Sequence, residues 1–438
     1  MASQKLQETT SYLGLLAKHR VALLTFATML APTLISAQTL PGTLDSSFGK
    51  GGKLTGVAGG AIGIQQDGKI VTAGGSKGDF SVARLNPNGT LDATFGSGGK
   101  VTTDFGGPYD AASSVAIRAD GKIIAAGTIV NSSSIADFAV ARYNPNGTLD
   151  TTFGSGGKVT TDFGGVSANA YSIAIQRDGK VVVAGVANID GGEDFALARY
   201  NLDGTPDSSF GTGGRVVTDF GTFAQGFSWA EGSSVVVQAD GKIVMAGDAY
   251  IDPGFDIALA RYNPNGSLDT TFGTGGKVTT NLSANDRASS VGLQADGKIV
   301  TAGQAVGKAF DFALLRYNSN GTLDTTFGTG GKVLTDFADV TGMAFSSEAA
   351  NSVAIRLDGK IVAVGRTFVT TGYNWALARY NSNGTLDTSF GKGGKVTTDF
   401  AGDSDEAGAV AVQPDGKTVV SGYATINDAI VSALVRYN

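Results

Sequence analysis

Cysteine is absent from all 438 residues, and histidine occurs once, at His19. Disulfides are therefore excluded, so an oxidising compartment is tolerated but not exploited. Thiolate chemistry is excluded as well. His19 lies in an N-terminal segment expected to be cleaved, which would remove imidazole too. Ser-His-Asp and Cys-His catalysis and ordinary zinc sites are then ruled out. Basic runs are missing, and the formal charge is −6, which argues against a nucleic-acid partner. What remains for chemistry is carboxylate, Lys, Arg, Tyr, Ser and Thr, together with oxygen-loving cations such as calcium.

Apolar runs are also scarce. One extends from Val21 to about Ile35, after Lys18-His19-Arg20, and ends in Ser36-Ala37. This order of charge, apolar run and small residues is that of a secretory signal. The run is short for a membrane span and contains Pro32. Residues 1–37 are expected to be a signal peptide and 38–438 a single repeat domain. Its loss removes Lys5, Lys18 and Arg20 against Glu8 and takes the net charge from −6 to −8. The processed chain is expected to have no membrane span, to be a monomer, and to be secreted, periplasmic or held at the cell surface.

The chain has in abundance a repeated unit. Asp-Gly-Lys recurs at Asp67, Asp120, Asp178, Asp240, Asp296, Asp358 and Asp415, at intervals of 53, 58, 62, 56, 62 and 57 residues. Such a period means stacked copies of one supersecondary element. In the second copy, Ser114–Arg118 and Lys122–Gly127 flank Asp120-Gly121 as a hairpin. Asp137–Asn144 follows as a third alternating strand, Asn144-Pro145-Asn146-Gly147 as a turn, and Lys158–Phe163 as a fourth strand.

No helix signal appears. Four short strands cannot bury both faces alone, but seven such sheets arranged radially can. The expected fold is all-β: a seven-bladed propeller of four-stranded antiparallel blades. The chain supplies a unit's end first, at Leu44–Thr55, and stops in a third strand at Arg436-Tyr437-Asn438. The N-terminal strand should therefore complete the last blade and remove a free edge. Small residues suit a crowded axis, so the Ser-Val-Ala-Ile run is expected to be innermost.

The recurring blocks Ser-Val-Ala-Ile-x-x-Asp-Gly-Lys-Ile-Val, Asp-Phe-Ala-Leu-Ala-Arg-Tyr-Asn and Asn-Gly-Thr-Leu-Asp-x-x-Phe-Gly resemble the bacterial delta-60 repeat family over residues 41–438. That resemblance implies a propeller without an assigned activity. Kelch blades are similar more loosely: their paired glycine is matched only at Gly74-Gly75, and Phe153 and its equivalents stand where kelch has Trp.

Residues present in every copy read as scaffold. Each Arg of Arg-Tyr-Asn, such as Arg142, should reach the Leu-Asp carboxylate of its own unit, such as Asp150. The repeated Phe of Phe-Gly, such as Phe95 and Phe272, should plug the core, and Trp375 takes the place of the repeated strand Phe and should be core as well. The Gly-x-Gly-Gly-Lys block lacks the P-loop spacing and the calcium nonapeptide spacing.

Binding should reside where copies diverge. Two connections vary, and strand alternation places both on one face. That face carries aromatics beside carboxylates: Tyr109, Asp110, Phe227, Trp229, Tyr250, Asp252, Phe255, Glu348, Tyr373 and Asp405. Rings stack on apolar sugar or peptide surfaces while carboxylates accept hydrogen bonds. Asp403, Asp405 and Glu406 form a possible calcium cluster; no other cofactor is expected. The first expectation is a non-enzymatic module binding a glycan, peptide or envelope partner. A carboxylate-based hydrolase, needing two facing acids, and an adhesive spacer are the alternatives.

Overall fold

The computed structural model describes residues 40–57, 59–221, 229–307, 309–343, 346–370, 372–400 and 404–438. The expected signal segment, Phe227 and Asp403 lie outside the described residues. Among those described, no helix is long and apolar enough to cross a membrane.

The strands form seven separate four-stranded antiparallel sheets. Blade 2 is typical, with Tyr109–Ile117, Ile123–Val130, Ala136–Tyr143 and Lys158–Thr161 in that order. The last blade draws its outer strand from the other end of the chain: Lys53–Thr55 pairs antiparallel with Ala429–Tyr437, Lys53 opposite Val435. The first strand of each blade touches the first strands of both neighbours around the complete ring. The Ser-Val-Ala-Ile run is thus innermost, as its small residues suggest. One helical turn, Ala338–Thr341, ends at Gly342 in the left-handed region, φ +75°. It sits in a loop the repeats do not share, where their strand pattern gives no warning of it.

Asp-Gly forms the expected hairpin, but the loop is longer than a two-residue turn. Gly121 N–H bonds to the Arg118 carbonyl, Arg118 N–H bonds to the Lys122 carbonyl, and Gly121 has φ +80°. This is a three-residue loop with glycine at the left-handed position.

The third strand is not half-exposed as its alternation implies; all of Ala136–Tyr143 is buried. Alternation instead sorts side chains between two interfaces. Phe138 and Val140 face blade 3, where they meet Ala196, Ala198 and Tyr200. Ala139, Ala141 and Tyr143 face blade 1, where they meet Phe80 and Val82. Each blade therefore has a large face and a small face, and large packs on small at close-packed density. A Tyr–Thr hydrogen bond crosses six of the junctions, as between Tyr200 and Thr161 at 2.6 Å or Tyr143 and Thr103 at 2.8 Å.

Candidate ligand-binding face

The repeated charged residues are consumed by the scaffold. Arg142 Nε lies 2.7 Å from Asp150 Oδ2, and its guanidinium stacks 4.5 Å from the Phe153 ring centroid. Its Nη1 also donates to the Leu202 carbonyl in the next blade's turn. Lys122, from the Asp-Gly-Lys triplet, completes the group at 2.6 Å from Asp150. Burial alone would raise the Asp150 carboxyl, but hydrogen bonds from Lys122 and Thr152 and the Arg142 charge hold it far below the usual range. The same ion pair recurs in all seven blades. These groups are therefore committed to holding turns to strands and are poor candidates for a ligand.

Glycine permits the close seam between blades. Gly147 has φ +90°, and a Cβ there would sit 2.7 Å from the Gly96 nitrogen of the preceding blade. Between these turns of blades 3 and 4 lies an open cleft of about 560 Å³, lined by Gln176, Arg177, Gln238, Asp240 and Pro264. It lies on the uniform face, and its Arg199 is already paired with Asp207 at 2.8 Å.

On the divergent face, blades 3 to 5 gather a cluster beside the channel. Trp229 is 47% exposed and meets Phe255 edge-on at 6.1 Å; Tyr250 meets Phe255 likewise at 5.4 Å. Trp229 and Glu193 bridge through their backbones, which sets the indole beside the Glu193 carboxylate. Arg287 lies over the other side of this group, 4.7 Å from the Phe255 centroid, 3.7 Å from Glu231 and 4.0 Å from Asp248. Asp248 is buried with Oδ2 receiving no hydrogen bond. Desolvation, only partly offset by Arg287 and reinforced by Glu231 and Glu193, pushes its carboxyl up to about 7. Tyr171 is pushed up to about 12 by burial and by the same two glutamates. The cluster thus combines a fixed indole platform, two partly exposed carboxylates, one guanidinium and one buried acid that is half-protonated near neutrality.

Of the residues expected from sequence, Trp229, Tyr250 and Phe255 come together here. Asp252 is exposed on the adjoining turn. Tyr373 belongs to a second, smaller cluster, with Phe368 at 5.4 Å and Arg366 4.8 Å above its ring. Arg366 also pairs with Glu406 at 2.8 Å, and Asn351 donates to Glu406 at 2.8 Å. Tyr109 stands apart, 57% exposed.

Asp110, Glu348 and Asp405 occupy one equivalent position just ahead of the paired Ala112, Ala350 and Ala407, and all three are buried. Asp405 accepts the Phe400 and Thr425 N–H groups at 2.8 and 3.1 Å. Its neighbour Glu406 faces the other side of the strand, as successive strand residues do. The geometry does not bring those two carboxylates to a common point.

Sequence reasoning looked for binding groups in loops and so passed over Glu231, Arg287, Tyr171 and Arg366, which lie inside strands. A signal was available. In six blades the inner strand bulges, at Ser113, Tyr171, Ser233, Ser289, Asn351 and Gly408, and the residue two before is Ala111, Asn169, Glu231, Arg287, Ala349 or Glu406. Charge at this position marks Glu231 and Arg287 of the larger cluster and Glu406 of the smaller one.

Seven segments of the chain, 65–95, 118–153, 176–210, 238–272, 294–327, 357–390 and 413–438, match the family described as "Domain of unknown function (DUF5122) beta-propeller". The chain belongs to that family. Each full match runs from the Asp-Gly hairpin to the Phe of Phe-Gly, so DUF5122 residues define the turns and interfaces and leave out the inner strands. No curated protein matches this DUF5122 chain in sequence. Among solved structures, the polysaccharide lyase Uly1 superposes with a TM-score of 0.50 at 12% identity, covering 87% of this chain and 90% of its own. An ulvan lyase gives 0.46 at 13% identity, covering 87% and 95%. A protein of unknown function from Dyadobacter fermentans gives 0.44 at 10%, covering 91% and 98%. At these identities the likeness is one of fold.

Proposed function

We propose that this chain is an exported, delta-60-like binding module that holds a glycan on its divergent face, at the Trp229 cluster. The observation that supports this reading is the half-exposed Trp229, braced by Phe255 and by its backbone bridge to Glu193. A preorganised aromatic face offers stacking area at little entropic cost, and nearby Glu193, Glu231 and Arg287 offer acceptors and donors for hydroxyl groups. Stacking gives affinity, and the polar rim gives orientation. A glycan array followed by calorimetry on the best polysaccharide tests this. Trp229→Ala should weaken binding at least tenfold, whereas Tyr109→Ala, remote from the cluster, should change it little. Absence of binding to any glycan would sink the reading.

A carboxylate hydrolase is the second reading, and Asp248 favours it. A buried acid held near neutrality can donate a proton to a leaving oxygen, with Glu231 as the ionised partner. Release of reducing ends from the bound polysaccharide, lost in Asp248→Asn, would favour this reading; binding without turnover favours the module.

A further inference from the structure

Around the ring, the residue that opens an inner strand meets two side chains of the preceding blade: the one leading its third strand and the one following its outer strand. At the junction of blades 1 and 2 these are Asp110, Asp79 and Asp104. At the junction of blades 5 and 6 they are Glu348, Asp311 and Asp336. In each trio one carboxylate oxygen per residue lies within 4.8 Å of the others.

Each trio also contains a buried oxygen with nothing donating to it. Asp110 is 0% exposed; its Oδ2 accepts the Phe105 N–H at 2.7 Å, while Oδ1 receives no hydrogen bond. Glu348 is 1% exposed; its Oε1 accepts the Thr367 hydroxyl at 2.9 Å, while Oε2 receives none. The Ser346 hydroxyl lies beside both Glu348 and Asp336 but carries one proton, and its 3.2 Å hydrogen bond goes to Asp336. The neighbouring lysines are engaged elsewhere. Lys158 donates to the Asp104 carbonyl at 2.9 Å, and Lys395 to the Asp336 carbonyl at 2.8 Å and to the Asp339 carboxylate. Leaving a buried acceptor without a donor is costly, and three converging carboxylates make it more so.

Two other junctions show how the same place is satisfied without an ion. Between blades 4 and 5 the trio is Asp256, Asn281 and Asp286. Asn281 donates to Asp256 at 2.7 Å, and Asp286 accepts the Leu282 N–H, the Ser283 N–H and the Ser283 hydroxyl. Between blades 6 and 7, Asn374 replaces the leading Asp, and Asp405 has a backbone donor on each oxygen. Ala168 and Ala230 open the inner strands of blades 3 and 4 and supply no third acid.

We propose that the Asp79–Asp104–Asp110 and Asp311–Asp336–Glu348 trios are two equivalent calcium sites that join adjacent blades. The donor set is oxygen only, which suits a hard cation. Asp104 is exposed and Asp336 partly so, giving an entry path and room for waters to complete the six to eight oxygens that calcium takes. The sites differ from the Asp403, Asp405 and Glu406 cluster expected from sequence, and they are independent of the glycan reading.

Calorimetric titration of the chelator-treated full chain with calcium chloride tests the assignment, with equilibrium dialysis and elemental analysis counting bound ions. Two ions per chain are expected, with a rise in melting temperature. Asp104→Asn and Asp336→Asn each copy the arrangement around Asn281, so each should keep the fold and remove one ion. Asp286→Asn should leave two. Circular dichroism confirms folding of each variant; where one fails to fold, Asp79→Asn or Asp311→Asn replaces it. Fewer than two ions on the unaltered chain, or binding that survives both substitutions, overturns the proposal.

Discussion

Arg436 Nε lies 2.8 Å from Asp45 Oδ2, so the third strand of the last blade is ion-paired to the segment that supplies its outer strand. Lys417 reaches the same oxygen at 2.7 Å, and both the Asp45 and Arg436 side chains are under 10% exposed. Asp45→Ala would leave a buried guanidinium uncompensated and should cost about 3–5 kcal/mol. Asp67→Ala, removing an exposed carboxylate 3.6 Å from Lys69, should cost below about 0.5 kcal/mol. Urea unfolding of the two variants measures the contrast; equal losses would contradict it.

Seven such carboxyls, at Asp45, Asp92, Asp150, Asp207, Asp269, Asp324 and Asp387, are held far below their usual range. Below the unfolded pKa of about 3.9, the unfolded chain binds more protons than the folded one. Their stabilising contribution is therefore present above about pH 4 and lost as the pH falls. The melting temperature should drop steeply between about pH 4 and pH 2, and a flat profile there would count against the paired state of these groups.

Asp248 acts in the opposite sense. Its carboxyl is pushed up to about 7, mainly by desolvation. The folded state therefore binds more protons than the unfolded one between about pH 4 and pH 7, and stability falls as the pH rises through that window. Asp248→Asn, which mimics the protonated acid, should match the parent chain near pH 4. At pH 8 it should be about 2–4 kcal/mol more stable. Melting curves at both pH values check the sign as well as the size.

The Tyr200 hydroxyl and Thr161 hydroxyl, 2.6 Å apart and buried between blades 2 and 3, form an isolated polar pair. Tyr200→Phe should cost about 1–2 kcal/mol, because Thr161 loses its partner in an apolar interface. Adding Thr161→Val should recover part of that loss. A double-mutant cycle by chemical denaturation reads the coupling, and strict additivity would show that the bond contributes nothing of its own.

Trp375 stands where four other blades have Phe, 5.0 Å from the Phe400 centroid, with its indole N–H bonded to the Tyr423 carbonyl at 3.0 Å. Trp375→Phe restores the repeat and should cost about 1–2 kcal/mol, whereas Trp375→Ala should cost about 3–5 kcal/mol through cavity formation. Thermal denaturation of both variants distinguishes a core position from a ligand contact.

The period of the Asp-Gly-Lys triplets, the turn residues and the Arg–Asp spacing determined the fold, its closure and the scaffold role of the repeated groups. These are properties of contacts made within a unit or between identical units, so repetition writes them into the chain. Trp229, Tyr250 and Phe255 were legible as candidates because they stand out where the repeats diverge. The tertiary structure alone decided which candidates meet. It joined Trp229 to Glu193 of the preceding blade, set Arg287 of the next over Phe255, and buried Asp110, Glu348 and Asp405 beneath the face they seemed to decorate. It also set two acidic trios across blade junctions. Those groupings depend on how far one blade is turned against its neighbour, and linear spacing carries no measure of that angle.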